Sequence, residues 1–266
     1  MKFYKIEKKL IQYLCTGALL AAIVAPGLNR GLVAEDLPRY KEAVQLFQQG
    51  KHEDSLEAIR SVFDDYKSSY EFRMLAAANY LEQGQYDSAV SHLRYCMKDH
   101  PDRAEPHALL AAVYRRSGQP KKALAHIRDV IRKYPDSIQI RWEAALSYMA
   151  LESVAPARTH VSKILSSDPN HFGALYLDGV LYLKAGDLEN AEFRLRNAAR
   201  IGTSDKNLQF GLLNNLGLTL SLLAARTDGS RRDAYLEQAR EYLEKASELR
   251  PNDPALKRNL ATLPTT

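Results

Sequence analysis

The amino-acid sequence predicts an all-α protein built as a stack of repeats, and three observations carry that reading. First, Tyr80, Tyr114, Tyr148 and Tyr182 recur every 34 residues, with Leu46 one period earlier. Second, other residue types keep the same register: Gly50, Gly84, Gly118 and Gly186; Ser55, Ala89, Ala123, Ala157 and Ala191; Pro101, Pro135 and Pro169. Third, the apolar residues between these markers follow helical spacing, three or four residues apart.

Each period divides into two helices. In the first, Ala43, Ala77, Ala111, Ala145 and Gly179 lie three residues before the Leu/Tyr column, on the same face, and their small size lets an antiparallel neighbour approach closely. The glycine column follows, where a positive backbone angle ends the helix. The second helix opens at the Ser/Ala column, and Leu93, Ile127, Val161 and Leu195 continue its apolar stripe. Cys96 falls in that helix in one column with Val62, Val130, Ile164 and Ala198, as a small core residue. Each proline stops the second helix, because its ring cannot continue one. A single period cannot bury both stripes, so the units must stack.

These columns resemble the tetratricopeptide repeat, whose pattern runs from a large apolar residue through Leu-Gly and Tyr to Ala, an apolar residue and Pro. Five gapless copies cover 36–69, 70–103, 104–137, 138–171 and 172–205. A sixth, at about 210–252, keeps Leu213, Leu216, Gly217 and Leu220 in its first half and Ala239, Leu243, Ala246 and Pro251 in its second, with extra residues around Thr227–Asp233. The expected array is therefore 36–253, followed by a C-terminal cap or tail at 254–266. Departures are Glu152 for the turn glycine, Lys67 and Thr203 for the closing proline, and Arg39, Arg73 and Arg141 where the family usually has a bulky apolar residue. The resemblance implies a right-handed all-α solenoid of about six helix-turn-helix repeats, whose first helices line a concave, protein-binding face.

The N-terminus carries a different signal. Lys2, Lys5, Lys8 and Lys9 precede an uncharged stretch from Leu10 to Asn29, which as a helix is about 30 Å long, enough to cross a bilayer. A hydrophobic helix is expected there; besides a buried N-terminal helix of the soluble domain, two readings stay open for residues 1–34. One is an uncleaved signal-anchor holding the array at the inner membrane; the other is a signal peptide cleaved after Ala34, leaving a soluble periplasmic or secreted protein. In both, the lysines stay inside and the repeats are exported. Cys15 lacks the small upstream residues of a lipoprotein site.

Charge narrows the function classes. The formal net charge is +5, but residues 1–34 hold the four lysines and Arg30 against Glu7 alone, so the array itself is close to neutral. No basic run is available for phosphate backbones, and nucleic-acid binding is not expected. No HExxH, GxSxG, CxxC or phosphate-loop pattern occurs, so no catalytic residue, cofactor or metal is assigned and the chain is read as no enzyme. His92, His126 and His160 also keep the 34-residue period. Equivalent positions on stacked helix pairs lie about 8–10 Å apart or more, too far to share one zinc ion, so this column is structural. Arg60, Arg94, Arg128 and Arg196 read as a solvated outer column.

The candidate site is the strip between the packing columns of the first helices. Its members are Tyr40, Met74, Ala108, Trp142, Tyr176 and Asn214; then Val44, Ala78, Ala112, Leu146, Val180 and Leu218; then Phe47, Leu81, Arg115, Met149, Leu183 and Ser221. Columns four and three residues apart share a helical face. Two readings remain: packing between neighbouring first helices or cover by the N-terminal linker, or a groove for an apolar or amphipathic peptide segment. In the second, Tyr40, Met74, Trp142, Leu146, Met149 and Tyr176 line the groove and Arg115 and Arg116 add a charged contact. The Lys/Asn clamp by which some relatives hold acidic chain ends is missing, its places being taken by Met74, Ala78, Leu109, Gln139 and Glu143. The expected function is an adaptor or scaffold for a protein partner in a cell-envelope complex such as a pilus, secretion or export machine. The alternative is a periplasmic holdase or an accessory protein of a lipid or glycan pathway, with an apolar ligand groove.

Overall fold

The computed structural model describes residues 37–63 and 69–264. Among them are thirteen α-helices and no strand. The N-terminal span 10–29, the Ala34 cleavage site, Cys15 and Lys67 lie outside the described residues. No helix among those described is long and apolar enough to cross a membrane.

The described residues fall into two compact units, one ending at Ser153 and one beginning at Val154. The first unit holds α1 (Leu37–Gln48), α2 (His52–Phe63), α3 (Tyr70–Glu82), α4 (Tyr86–Asp99), α5 (Glu105–Arg116), α6 (Pro120–Val130) and α7 (Ile138–Ala150). The second holds α8 (Val154–Ser167), α9 (Phe172–Ala185), α10 (Leu188–Ile201), α11 (Lys206–Ala224), α12 (Gly229–Leu249) and α13 (Pro254–Leu260).

The 34-residue period is written into the turns as hydrogen bonds. The amides of Lys51, Gln85, Gln119, Ser153 and Asp187 donate to the carbonyls of Leu46, Tyr80, Tyr114, Tyr148 and Tyr182 at 2.8–3.1 Å. Each bond spans a residue in the left-handed conformation, which closes the helix and satisfies a carbonyl that has lost its helical partner. Glycine supplies that conformation at Gly50, Gly84, Gly118 and Gly186, with φ between 73° and 80°. At the fourth turn Glu152 adopts it with φ 58°, although a side chain disfavours it. The closing-proline departure at Thr203 is also accommodated locally. Gly202, φ 75°, ends α10, and the Thr203 hydroxyl accepts the Asp205 amide at 3.2 Å.

Packing within each helix pair runs through the small-residue columns. Ala43, Ala77 and Ala111 are fully buried in the first unit, as are Ala89 and Leu93 of α4. Ser55, standing in the alanine column, donates its hydroxyl to the Ala43 carbonyl at 2.7 Å and accepts Asn79 Nδ2 at 2.9 Å, tying α2 to both α1 and α3. In the second unit the approach is tighter. A Cβ on Gly179 would lie 2.7 Å from Leu195 Cγ, and one on Gly217 only 2.5 Å from Leu243 Cγ.

The sixth copy takes up its extra residues in its helices. They form no bulging loop: α11 and α12 run to 19 and 21 residues and only Ala225–Asp228 connects them. The arginines at the bulky apolar positions also have their own solutions. Arg73 lays its guanidinium over the Tyr95 ring at 4.1 Å, Arg39 pairs with Glu42 at 3.0 Å, and Arg141 donates to the Pro135 carbonyl.

Candidate functional site

Seven of the eight candidate residues lie in the first unit, at repeat-equivalent places on its first helices: Tyr40 on α1, Met74 on α3, Arg115 and Arg116 on α5, and Trp142, Leu146 and Met149 on α7. The last three are four and three residues apart and share one side of α7. They are not an exposed patch. Trp142 is 2% exposed, Leu146 0% and Met149 4%, and Tyr40 and Met74 are equally closed off. Tyr40 shows how a large side chain at this place reaches sideways to the next first helix: its ring stands edge-on to Phe72 of α3, 5.4 Å between centroids. Burial, with Glu71 nearby, pushes its hydroxyl pKa up.

The two arginines are engaged inside the unit. Arg115 Nε donates to Glu143 Oε2 at 3.0 Å, with both side chains buried. Burying a charge is tolerated only when it is paired, so this ion pair fixes α5 against α7. Arg116 forks onto Glu82, Nη1 to Oε1 at 2.5 Å and Nη2 to Oε2 at 3.2 Å, and its carbonyl accepts the Tyr86 hydroxyl at 3.0 Å. The charged contacts expected for a ligand are thus spent on joining α5 to α7 and to α3.

Tyr176 belongs to the second unit, on α9. It is fully buried, its hydroxyl accepts Asn215 Nδ2 from α11 at 3.0 Å, and burial pushes its pKa up. The same unit carries the last members of the strip, and there the structure shows what covers them. Asn259 of α13 donates Nδ2 to Asn214 Oδ1 at 2.9 Å, and the hydroxyls of Ser221 and Thr262 are 3.0 Å apart.

Two members of the histidine column, His92 and His126, pack against other rings. His92 lies tilted against Tyr80, 5.4 Å between centroids, and His126 stacks on His107 of α5 with Nδ1 of His107 3.3 Å from Nε2 of His126. His107 was not singled out by the period, since it occurs in one repeat only. Burial lowers the pKa of both partners, and their mutual repulsion adds to it for His107, which is pushed down to about 4. Of the arginine column, Arg60, Arg94 and Arg128 are exposed, whereas Arg196 is half-buried and bridges α10 to Gln238 of α12.

Sequence and structure comparisons agree with this architecture. Models of the tetratricopeptide repeat match residues 46–113 and 80–147, 142–205, and 233–253. No curated protein matches the chain in sequence. Among solved structures, the chain resembles PilF of Pseudomonas aeruginosa with a TM-score of 0.64 at 14% identity, over 84% of this chain and 96% of that one. It resembles PilW, described as a widely conserved type IV pilus biogenesis factor, with a TM-score of 0.63 at 14% identity over 86% and 100%. The thermophilic repeat protein TTC0263 of Thermus thermophilus gives 0.60 at 18% identity over 68% and 98%. At such identities the likeness is one of fold. Together with the periodic turns and the repeat matches along both units, it establishes that the chain belongs to the tetratricopeptide repeat family.

Proposed function

We propose that this chain is a non-enzymatic scaffold that holds a protein partner on the inner face of its first helices, in the assembly or stabilisation of a cell-envelope complex such as a pilus, secretion or export machine. The observation that carries the reading is the column Val44, Ala78, Ala112 and Leu146, one apolar residue from each first helix of the first unit with no charge among them. Arg115 and Arg116 are neutralised by Glu143 and Glu82, so recognition on this face rests on apolar contact and shape. An apolar or amphipathic peptide segment suits such a surface. Likeness to a pilus biogenesis factor supports the envelope setting. The lysines before Leu10–Asn29 support export, with the array either anchored at the inner membrane or released after Ala34.

The test is photo-crosslinking in intact cells. A photoreactive residue at Gln139 or Ala150, at the two ends of the α7 face, is expected to capture one and the same protein, and one at the outward Arg128 is expected not to. Capture only from Arg128 would overturn the inner-face assignment. Protease added to spheroplasts is expected to degrade the repeats while sparing a cytosolic control; protection would overturn the export reading.

A further inference from the structure

We propose that His107 of α5 and His126 of α6 form a two-histidine site for a divalent transition ion of the zinc and copper class, which clips together the two helices of the third repeat. Their facing nitrogens, Nδ1 of His107 and Nε2 of His126, lie 3.3 Å apart. That is long for a hydrogen bond, most of which fall within about 2.7–3.2 Å. It suits a shared ion better, because two nitrogens each about 2.0–2.1 Å from a tetrahedral metal stand about 3.3 Å from one another. The ion then lies about 1 Å to one side of the line between them, and a turn of each ring by about 35° aims both lone pairs at it. The ring that donates between the two nitrogens changes tautomer on binding, so that each imidazole carries its proton on the far nitrogen and no net proton is released.

The repeat pattern shows what sets this pair apart from its equivalents. His126 belongs to the column His92, His126 and His160, whose members sit on successive repeats, whereas His107 stands in the column of Arg39, Arg73 and Arg141. In the second repeat the column histidine has a guanidinium for a neighbour: burial and then Arg73 lower the pKa of His92. In the third repeat an imidazole takes the arginine's place. A guanidinium repels a metal ion, and a neutral imidazole binds one. Burial keeps both His107 and His126 in that neutral form at pH 7. Of the charges near the pair, Asp129 acts on His126 in favour of a cation and Lys133 on His107 against it. Lys133 is drawn aside, its ammonium donating to the Pro101 carbonyl. Aromatic rings steady the two imidazoles, with Tyr134 5.6 Å from His107 and Tyr114 edge-on to His126 at 6.2 Å between centroids. Both histidines are half-buried, which leaves a side for solvent. Among the described residues no group of three or more His, Cys, Asp or Glu side chains is placed to hold a metal, so water completes the coordination and the ion exchanges. Imidazole ligands select zinc, copper or nickel over magnesium and calcium, which take oxygen.

The test uses full-length protein purified without a histidine tag and stripped with a chelator. Calorimetric titration with zinc chloride at neutral pH is expected to show one strong binding event per chain, and magnesium chloride none. His107→Ala and His126→Ala should each weaken that event about tenfold or more, whereas His92→Ala, in the same column, leaves it as it was. No heat from zinc, binding that keeps its full strength in both variants, or an equal loss in His92→Ala would overturn the proposal. Circular dichroism checks that the variants fold. A second measurement needs no variant: copper(II) added to the unaltered chain at one equivalent is expected to give an electron paramagnetic resonance spectrum split by two imidazole nitrogens. Splitting by a single nitrogen, or by none, would overturn the site whatever the variants do.

Discussion

The two units finish their inner faces in opposite ways. In the second, the strip ends in polar residues, Asn214 and Ser221 of α11, and these are met by polar residues of α13 and the turn after it, Asn259 and Thr262. In the first, the strip on α7 is Trp142, Leu146 and Met149, apolar and buried just as deeply. In the second unit the cover thus matches what the face offers: hydrogen-bonding groups meet the hydrogen-bonding groups of the capping helix and of the turn after it. The units also pack their helix pairs differently, through alanine at Ala77 and Ala111 in the first and through glycine at Gly179 and Gly217 in the second.

The largest expected effect tests the ion pairs that distinguish the units. In the first, Arg115 Nε is paired with Glu143 Oε2 at 3.0 Å, the two side chains 4% and 0% exposed. Glu143→Ala leaves the guanidinium buried without its carboxylate and is expected to cost about 3–5 kcal/mol in a denaturant titration. In the second, Asp178 of α9 is shared by Arg158 at 3.4 Å and Arg194 at 3.0 Å, both about a third exposed. Arg194→Ala leaves Arg158 in place and is expected to cost about 1 kcal/mol. Equal losses would show that burial does not separate the two arrangements.

Next in size is the contrast between the small-residue columns. Gly217→Ala brings a methyl group to within 2.5 Å of Leu243 Cγ and 3.2 Å of the Ala239 carbonyl, so α11 and α12 must move apart. A loss of about 1–3 kcal/mol is expected, against the helix-propensity gain of about 1 kcal/mol that alanine brings. In the first unit Ala111→Gly opens space instead and should cost about 1 kcal/mol from propensity alone. A Gly217→Ala protein that melts higher than its parent would remove the claim of closer approach.

How much of this was legible beforehand depends on the range of the interaction. The turns were, because a left-handed residue after each helix is a local demand that glycine answers in the sequence itself, and even the exception at Glu152 shows in the register. The pairing of helices was legible too, since Ala111 or Gly179 marks a contact by its size alone. The state of the strip was not. Tyr40, Trp142 and Tyr176 have the composition of a peptide-binding groove, yet composition does not say whether a ring faces solvent or the next first helix. Arg115 with Glu143 could have been found: an arginine in a column whose first, second, fourth and fifth members are Phe, Leu, Met and Leu calls for a carboxylate one repeat on. The lengthening of α11 and α12 left no such mark, because Thr227–Asp233 reads equally well as loop or helix start.

A smaller effect sharpens the rule at the turns. Glu152 holds φ 58° where four other turns use glycine. Glu152→Gly removes the steric cost of that conformation and is expected to stabilise the protein by about 1 kcal/mol, partly offset by the greater freedom of glycine in the unfolded chain. Gly118→Ala, at φ 80° with open space around its Cβ, should lose a similar amount. Thermal melts of the two variants should therefore move in opposite directions, and a common direction would mean that the backbone angle is not what these turns select.

The smallest effect at neutral pH, and one that grows only with acid, comes from the buried histidines of the first unit. In the first unit burial pushes His92 and His107 down to about 4, helped by Arg73 beside the former and by His126 and Lys133 beside the latter. In the unfolded chain a histidine titrates near 6.5. Between those values the unfolded state binds more protons than the folded one, so stability is intact above about pH 6.5, falls as pH drops toward 4, and gains no further loss from these groups below it. Replacing His107 by Phe keeps a ring against His126 and Tyr134 and removes one titrating group, so the variant should match the parent at pH 7 and outlast it at pH 5. The measurement is the denaturant midpoint followed by Trp142 fluorescence, which lies in the first unit. A His107→Phe protein whose midpoint falls with acid as steeply as the parent's would show that this stacked pair is protonated in the folded state, and would detach the acid sensitivity of the first unit from its buried rings.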